Sequence, residues 1–165
     1  MKKTAVIVGA SGLVGGLCLE LLLADENYDR VMTPVRRPLP LEHPKLVQEI
    51  VNFDDLDPSA GIFRGDDLFC CLGTTIKKAG SRENFIRVDR DYTVAVAKTA
   101  LRNGMKRALV ITALGANPSS GIFYNRVKGE TEAALGALPF EAVHFFRPSL
   151  LLGNRGEFRL AEKIG

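Results

Sequence analysis

The 165-residue sequence is poor in the residues that staple or metallate small folds, with three cysteines and two histidines. Two of the cysteines, Cys70 and Cys71, are adjacent, so a paired disulfide framework is excluded. Free thiols suit a reducing compartment, and the cytoplasm is the expected address. His43, His144 and the cysteines show no zinc-ligand spacing, so no metal is expected. Blocks of one charge are missing as well. The 22 basic and 19 acidic residues leave a net charge of +3, with no like-charge run beyond a pair or triplet. A sequence-independent grip on a phosphate backbone needs a concentrated basic face, so no nucleic-acid partner is expected. Long apolar runs are lacking too. The uncharged stretch Thr4 to Leu19, behind Lys2 and Lys3, has the outline of a secretory signal. It carries Gly9, Gly12, Gly15 and Gly16, however, runs into Glu20 and meets no small-x-small cleavage site near Ala24. It also falls short of the roughly 18 residues of a membrane span. A buried strand running into a buried helix explains it better, and no membrane contact is expected.

What is present is an ordinary globular mixture, 46% apolar and 25% charged. The length is close to the roughly 150 residues of one domain. A chain of this size buries roughly 68–70% of its unfolded surface, enough for a core without staples. Strand-like and helix-like stretches alternate throughout. Thr4–Val8 is short, β-branched and stops at Gly9, as a strand buried on both faces does. Leu13–Ala24 carries apolar residues at helical spacing. Arg30–Val35 and Leu46–Val51 read as the second and third strands, with a proline-rich loop over 34–44 between them. Asp67–Leu72 reads as a fourth. Ser81 is the expected N-cap of a long helix from Arg82 to about Asn103, closed by Gly104. Arg107–Thr112 is a fifth strand, 123–138 a helix weakened by Gly129 and Gly136, and Phe140–Phe146 a sixth strand. The last residues, Glu157–Gly165, look like the opening of another helix. Strands alternating with helices predict an α/β fold, a Rossmann-type doubly wound parallel sheet in a single domain. Ligands of such sheets bind at the carboxyl ends of the strands, where strand order reverses.

Three groups of residues fall there. Gly9-Ala10-Ser11-Gly12-Leu13-Val14-Gly15 is a G-x-x-G-x-x-G turn between the first strand and the first helix. Its glycines serve a tight turn, close approach of a pyrophosphate and helix–strand packing. The amides at the helix start face an anion. At the end of the second strand, an NAD site would carry an acid for the ribose 2′-hydroxyl; here the residues are Val35-Arg36-Arg37. Guanidinium groups suit a 2′-phosphate instead, which favours NADPH over NADH. The bland alternative is two solvated arginines. Tyr124-Asn125-Arg126-Val127-Lys128 sets a phenol and an ammonium on one helical face. A nearby cation favours a phenolate, which suits such a tyrosine for proton exchange with a substrate oxygen.

Gly-Ala-Ser-Gly-Leu-Val-Gly (9–15), Cys-Cys-Leu-Gly-Thr-Thr (70–75), Val-Asp-Arg-Asp-Tyr (88–92), Tyr-Asn-Arg-Val-Lys-Gly-Glu (124–130) and Phe-Arg-Pro-Ser-Leu-Leu-Leu-Gly (146–153) together resemble the short-chain dehydrogenase/reductase superfamily. Within it they are similar to the atypical branch of Tat-interacting-protein-like oxidoreductases. The resemblance implies an NADPH-binding Rossmann fold with cofactor contacts from Gly9, Ser11, Gly12, Leu13, Val14 and Gly15. It also implies that Leu72, Gly73 and Thr74 run beside the adenosine and ribose, and that Asp54, after Phe53, contacts the adenine. Lys128 would hold the nicotinamide ribose while Tyr124 supplies the proton. The family's usual serine at the end of the fifth strand is not present; Thr112 is the nearest hydroxyl, with Ser119 and Ser120 further along. Members of this branch commonly continue past this chain's end, so part of a substrate cap is expected beyond it.

The expectation is an NADPH-dependent reductase of a small carbonyl or quinone-like substrate. The alternative is a non-catalytic NADPH-binding regulatory or redox-sensing protein. A sugar-nucleotide epimerase would need a larger substrate domain. A Cys70 or Cys71 nucleophile would need a base such as His43 or His144 close by; cysteines on an apolar strand are more often core, as is His144 within the sixth strand.

Overall fold

The computed structural model describes residues 2–149 and Leu151. Within them β1 (Lys3–Val8) leads into α1 (Leu13–Ala24), then β2 (Tyr28–Val35) and β3 (Leu46–Ile50). A 3₁₀ turn at Gly61–Phe63 precedes β4 (Asp67–Cys70). Two short helices follow, α2 (Ile76–Ala79) and α3 (Arg82–Ile86), then a π-helical segment at Arg87–Tyr92 and α4 (Thr93–Arg102). β5 (Arg107–Ile111), α5 (Phe123–Gly136) and β6 (Ala142–Phe146) follow in turn. The sheet runs β3-β2-β1-β4-β5-β6 with every pairing parallel. This is the doubly wound arrangement the sequence predicts, and its order reverses between β1 and β4.

Strand alternation assigns each side chain to one of two cores. Val6 and Val8 of β1, Leu68 and Cys70 of β4, and Ala108 and Val110 of β5 pack with Val96, Ala97 and Ala100 of α4 and Leu135 of α5. Ala5 and Ile7 of β1, with Val31 and Val35 of β2, face Leu19, Leu22 and Leu23 of α1, and Phe69 joins them from β4. Each valine, leucine or isoleucine among them, taken fully from water, contributes about 1.5–3 kcal/mol.

The long helix expected from Arg82 is divided. Ser81 does cap it, accepting from the Asn84 amide at 3.1 Å. Past Ile86, however, the helix widens, and Thr131 Oγ1 of α5 donates to the Asp89 carbonyl at 3.2 Å. A π segment carries an extra residue in the turn and re-aims the side chains around it. The unforeseen α2 is one turn capped by Thr75, whose hydroxyl accepts from the Lys78 amide. Gly129 has a packing role in α5. A Cβ there would lie 2.2 Å from Asn117 C and Pro118 N, so glycine lets the loop after β5 cross the helix. The expected helical opening at Glu157–Gly165 lies outside the described residues.

Candidate functional site

The Gly9–Gly15 turn sits where strand order reverses. Gly9 has φ +82°, and a Cβ on it would come 2.5 Å from the carbonyl oxygen of Cys71, the residue following β4. The Gly12 amide donates to Gly9 O at 3.0 Å and closes the turn. A Cβ at Gly15 would lie 2.1 Å from the same oxygen, so α1 approaches the turn as closely as a backbone can. Gly12 is the N-cap, and no side chain caps this helix. The first intrahelical bond runs from Gly16 N to Gly12 O, which leaves the Leu13, Val14 and Gly15 amides directed out of the helix N-terminus. Ser11 and Gly12 are exposed in front of them. Unspent amides, the positive end of a helix dipole and a backbone free of side chains fit a diphosphate.

Arg36 and Arg37 stand exposed where β2 ends. Asp54 is exposed too, but it already has partners. Its carboxylate accepts the Tyr92 hydroxyl at 2.6 Å and pairs with Arg87 at 3.5 Å. Burial and then the bond to Asp54 raise the Tyr92 phenol, while the charges of Arg87 and Arg36 oppose that shift. Arg87, Asp54 and Tyr92 therefore form one cluster at this end of the sheet edge, and Arg87 and Tyr92 were not foreseen as site residues.

Leu72, Gly73 and Thr74 continue β4 along the edge. The Thr74 amide donates to Asp89 Oδ2 at 2.9 Å, and Asp89 Oδ1 lies 2.6 Å from Lys128 Nζ. Both side chains are buried. Gly73 lies against this pair, since a Cβ on it would be 3.6 Å from Asp89 Oδ1 and 3.7 Å from Lys128 Nζ. Burial pushes the Asp89 carboxyl up, against the pull of Lys128 and the Thr74 amide. Lys128 thus has a carboxylate partner that the Y-x-x-x-K spacing gave no hint of.

Tyr124, Lys128 and Glu132, spaced four residues apart, form a stripe along one face of α5. Tyr124 is exposed, with its ring centroid 5.6 Å from that of buried Phe85. Glu132 is buried and accepts the Thr112 hydroxyl at 2.6 Å. Arg147, just after β6, donates to the same carboxylate from Nε at 2.9 Å and from Nη2 at 2.5 Å. Burial raises the Glu132 carboxyl, but the guanidinium and hydroxyl outweigh it and hold the group below the usual glutamate range. This corrects the expectation for Thr112. It is buried and its hydroxyl already donates to Glu132, so it is not a hydroxyl free to orient a substrate. Ser120 Oγ accepts from the Ile122 amide, and Ser119 is exposed. His144 is corrected as well. It is exposed on β6, an edge strand, rather than in the core. Asp89, Glu132 and Arg147 were missed as site residues. The one available signal was Glu132 falling four residues after Lys128.

No protein-family model matches the chain. It is 41% identical to protein HTATIP2 of Rattus norvegicus over 165 residues, which cover 98% of the chain and 68% of that protein. The chain belongs to the HTATIP2 family. This is the Tat-interacting-protein-like branch that the sequence motifs resemble. The mitochondrial protein FMP52 of Eremothecium gossypii is 37% identical over 152 residues, covering 92% of the chain and 67% of itself. Among solved structures, Bordetella bronchiseptica WbmH in complex with NAD+ matches with a TM-score of 0.74 at 17% identity over 94% of the chain. MoeE5 in complex with UDP-glucose and NAD matches with a TM-score of 0.71 at 16% identity over 87%. The chain spans 58% and 53% of these two structures, just over half of each. Relatives of the chain also overturn the cytoplasmic address. FMP52 is named as mitochondrial in Eremothecium gossypii, Candida glabrata and Kluyveromyces lactis. Few, unpaired cysteines report reducing conditions and not one compartment.

Proposed function

We propose that this HTATIP2-family chain binds NADP(H) across the carboxyl edge of its sheet and reduces a small carbonyl or quinone-like substrate. The observation that carries the reading is the Gly9–Gly15 turn, whose Leu13, Val14 and Gly15 amides are unspent at an uncapped helix start. The NAD held by WbmH and MoeE5 supports a nicotinamide dinucleotide as the ligand class. Arg36 and Arg37, with no acid at the end of β2, favour the 2′-phosphorylated form.

Bound there, a reduced nicotinamide supplies a hydride to the substrate's carbonyl carbon. Tyr124 gives its phenolic proton to the substrate oxygen as that oxygen gains charge. Lys128 sets a fixed positive charge one helical turn from the phenol, and Asp89 orients the ammonium. Through the Thr74 amide, Asp89 also ties the β4 edge to α5. Gly73 lies against the Asp89–Lys128 pair.

A second reading, a chain that binds NADPH and turns nothing over, is favoured by one observation: the Thr112 hydroxyl at the end of β5 is already engaged by Glu132. Single-turnover oxidation of bound NADPH by a panel of aldehydes, ketones and quinones separates the two. Reduction is expected with at least one class, and Tyr124→Phe should slow it by about 10²–10⁴-fold, the usual worth of a general acid, while cofactor affinity is kept. Turnover unchanged in Tyr124→Phe would refute the assigned proton donor. Binding with no turnover across the panel would favour the regulatory reading.

A further inference from the structure

The remaining chemistry lies on the opposite side of β4 from α4 and α5. Successive residues of a strand point to opposite faces, so the adjacent cysteines are separated by the sheet. Cys70 belongs to the core under α4, and burial pushes its thiol up to about 11. Cys71 faces α1. There it lines a cavity of about 200 Å³ together with Val14 and Cys18 of α1, Phe69 of β4, Leu109 and Ile111 of β5, and Phe146 of β6. Cys18 and Cys71 are free and partly accessible to solvent. Both thiols face this one cavity, Cys18 from α1 and Cys71 from the end of β4, and each shifts the other's ionisation.

We infer that Cys18 and Cys71 form a dithiol modification site that a hydroperoxide converts to an intramolecular disulfide. The pair is chemically unequal. The hydrogen bond from Cys71 favours a thiolate at Cys18, more than burial opposes it, while the same bond and burial keep Cys71 protonated. A thiolate is the attacking form, and a partner thiol beside it resolves the product. Cys18 sulfur attacks one peroxide oxygen and the O–O bond breaks. Cys18 becomes a sulfenic acid, and the departing hydroxide is neutralised by the proton Cys18 had released. Cys71 sulfur then attacks Cys18 sulfur, the S–O bond breaks, and the Cys71 proton leaves with that hydroxyl as a second water. Each sulfur gives up one electron and the peroxide takes both. The new bond would join α1 to the residue after β4, directly beneath the Gly9 turn, where the Cys71 carbonyl occupies the space a Gly9 side chain would need. Cys70, on the far face, takes no part.

Peroxide treatment of the reduced chain, followed by thiol alkylation, intact mass measurement and fragment mapping, tests this without reference to any cofactor. The expected result is loss of two of the three thiols, a mass lower by two hydrogens, and a Cys18–Cys71 cross-linked fragment that dithiothreitol reverses. The cross-link should persist in Cys70→Ala and vanish in Cys18→Ser. A cross-link through Cys70, a disulfide between two chains, sulfinic acid on Cys18 with Cys71 still alkylatable, or no thiol loss would each overturn the inference. The wild-type fragment map decides it even if a variant fails to fold.

Discussion

At the scale of single residues, two buried acids govern the site from behind. Glu132 receives Thr112 and both arms of Arg147. Its folded-state pKa lies below the ordinary glutamate value of 4.5. The ionised form therefore stabilises the fold above about that pH, and the contribution fades as pH falls through the depressed value. Glu132→Gln should cost about 1.5–3 kcal/mol at neutral pH, the worth of hydrogen bonds to a charged group. It should also flatten the loss of stability in acid, which urea midpoints measured from pH 7 down to pH 3 would read. A cost that persists unchanged at pH 3 would contradict it. Asp89 is the second acid. Asp89→Asn keeps an acceptor for the Thr74 amide but leaves the Lys128 ammonium buried without its counter-charge, a loss of about 3–5 kcal/mol for a broken buried pair. Urea unfolding at neutral pH measures it, and a midpoint equal to wild type would show that Lys128 finds water or another partner. Tyr124 and Lys128 were legible because one helix sets their spacing. Asp89 was not, because its partnership with Lys128 joins two different helices, and only packing reveals it.

At the scale of elements, the strands and α1 were legible to within two residues at each end; β1, buried on both faces, reads as an unbroken apolar run that glycine ends. What escaped was local hydrogen bonding that competes with the pattern. The Asp89 carbonyl accepts from Thr131, the helix widens to a π segment, and apolar spacing shows neither. Gly129 illustrates the same limit. By propensity alone, Gly129→Ala should stabilise α5 by about 1 kcal/mol. The new methyl would however stand 2.2 Å from the Asn117–Pro118 peptide, and backbone cannot yield as a flexible side chain does. Overpacking costs about 1–3 kcal/mol, so the net effect should be destabilising. Thermal unfolding of Gly129→Ala checks this, and a raised Tm would mean that the loop moves away freely.

At the scale of the whole molecule, the order β3-β2-β1-β4-β5-β6 brings four separated stretches to one edge: the Gly9–Gly15 turn, Arg36 and Arg37, Leu72–Thr74, and the α5 stripe. That convergence was legible from the alternation of strands and helices, since parallel connections return every strand's carboxyl end to the same side. The compartment was not legible, because thiol content speaks only to redox conditions. Membership of the HTATIP2 family and a fold shared with NAD-bound structures fix the architecture, while the ligand is read from the turn itself. On the function proposed above, this turn receives the diphosphate of NADP(H). Backbone amide NMR during titration with NADP+ and, separately, NAD+ tests it most directly. Saturable shifts centred on Leu13, Val14 and Gly15 are expected, with NADP+ binding more tightly and adding shifts at Arg36 and Arg37. A folded spectrum in which those amides stay unmoved by either dinucleotide would contradict the claim.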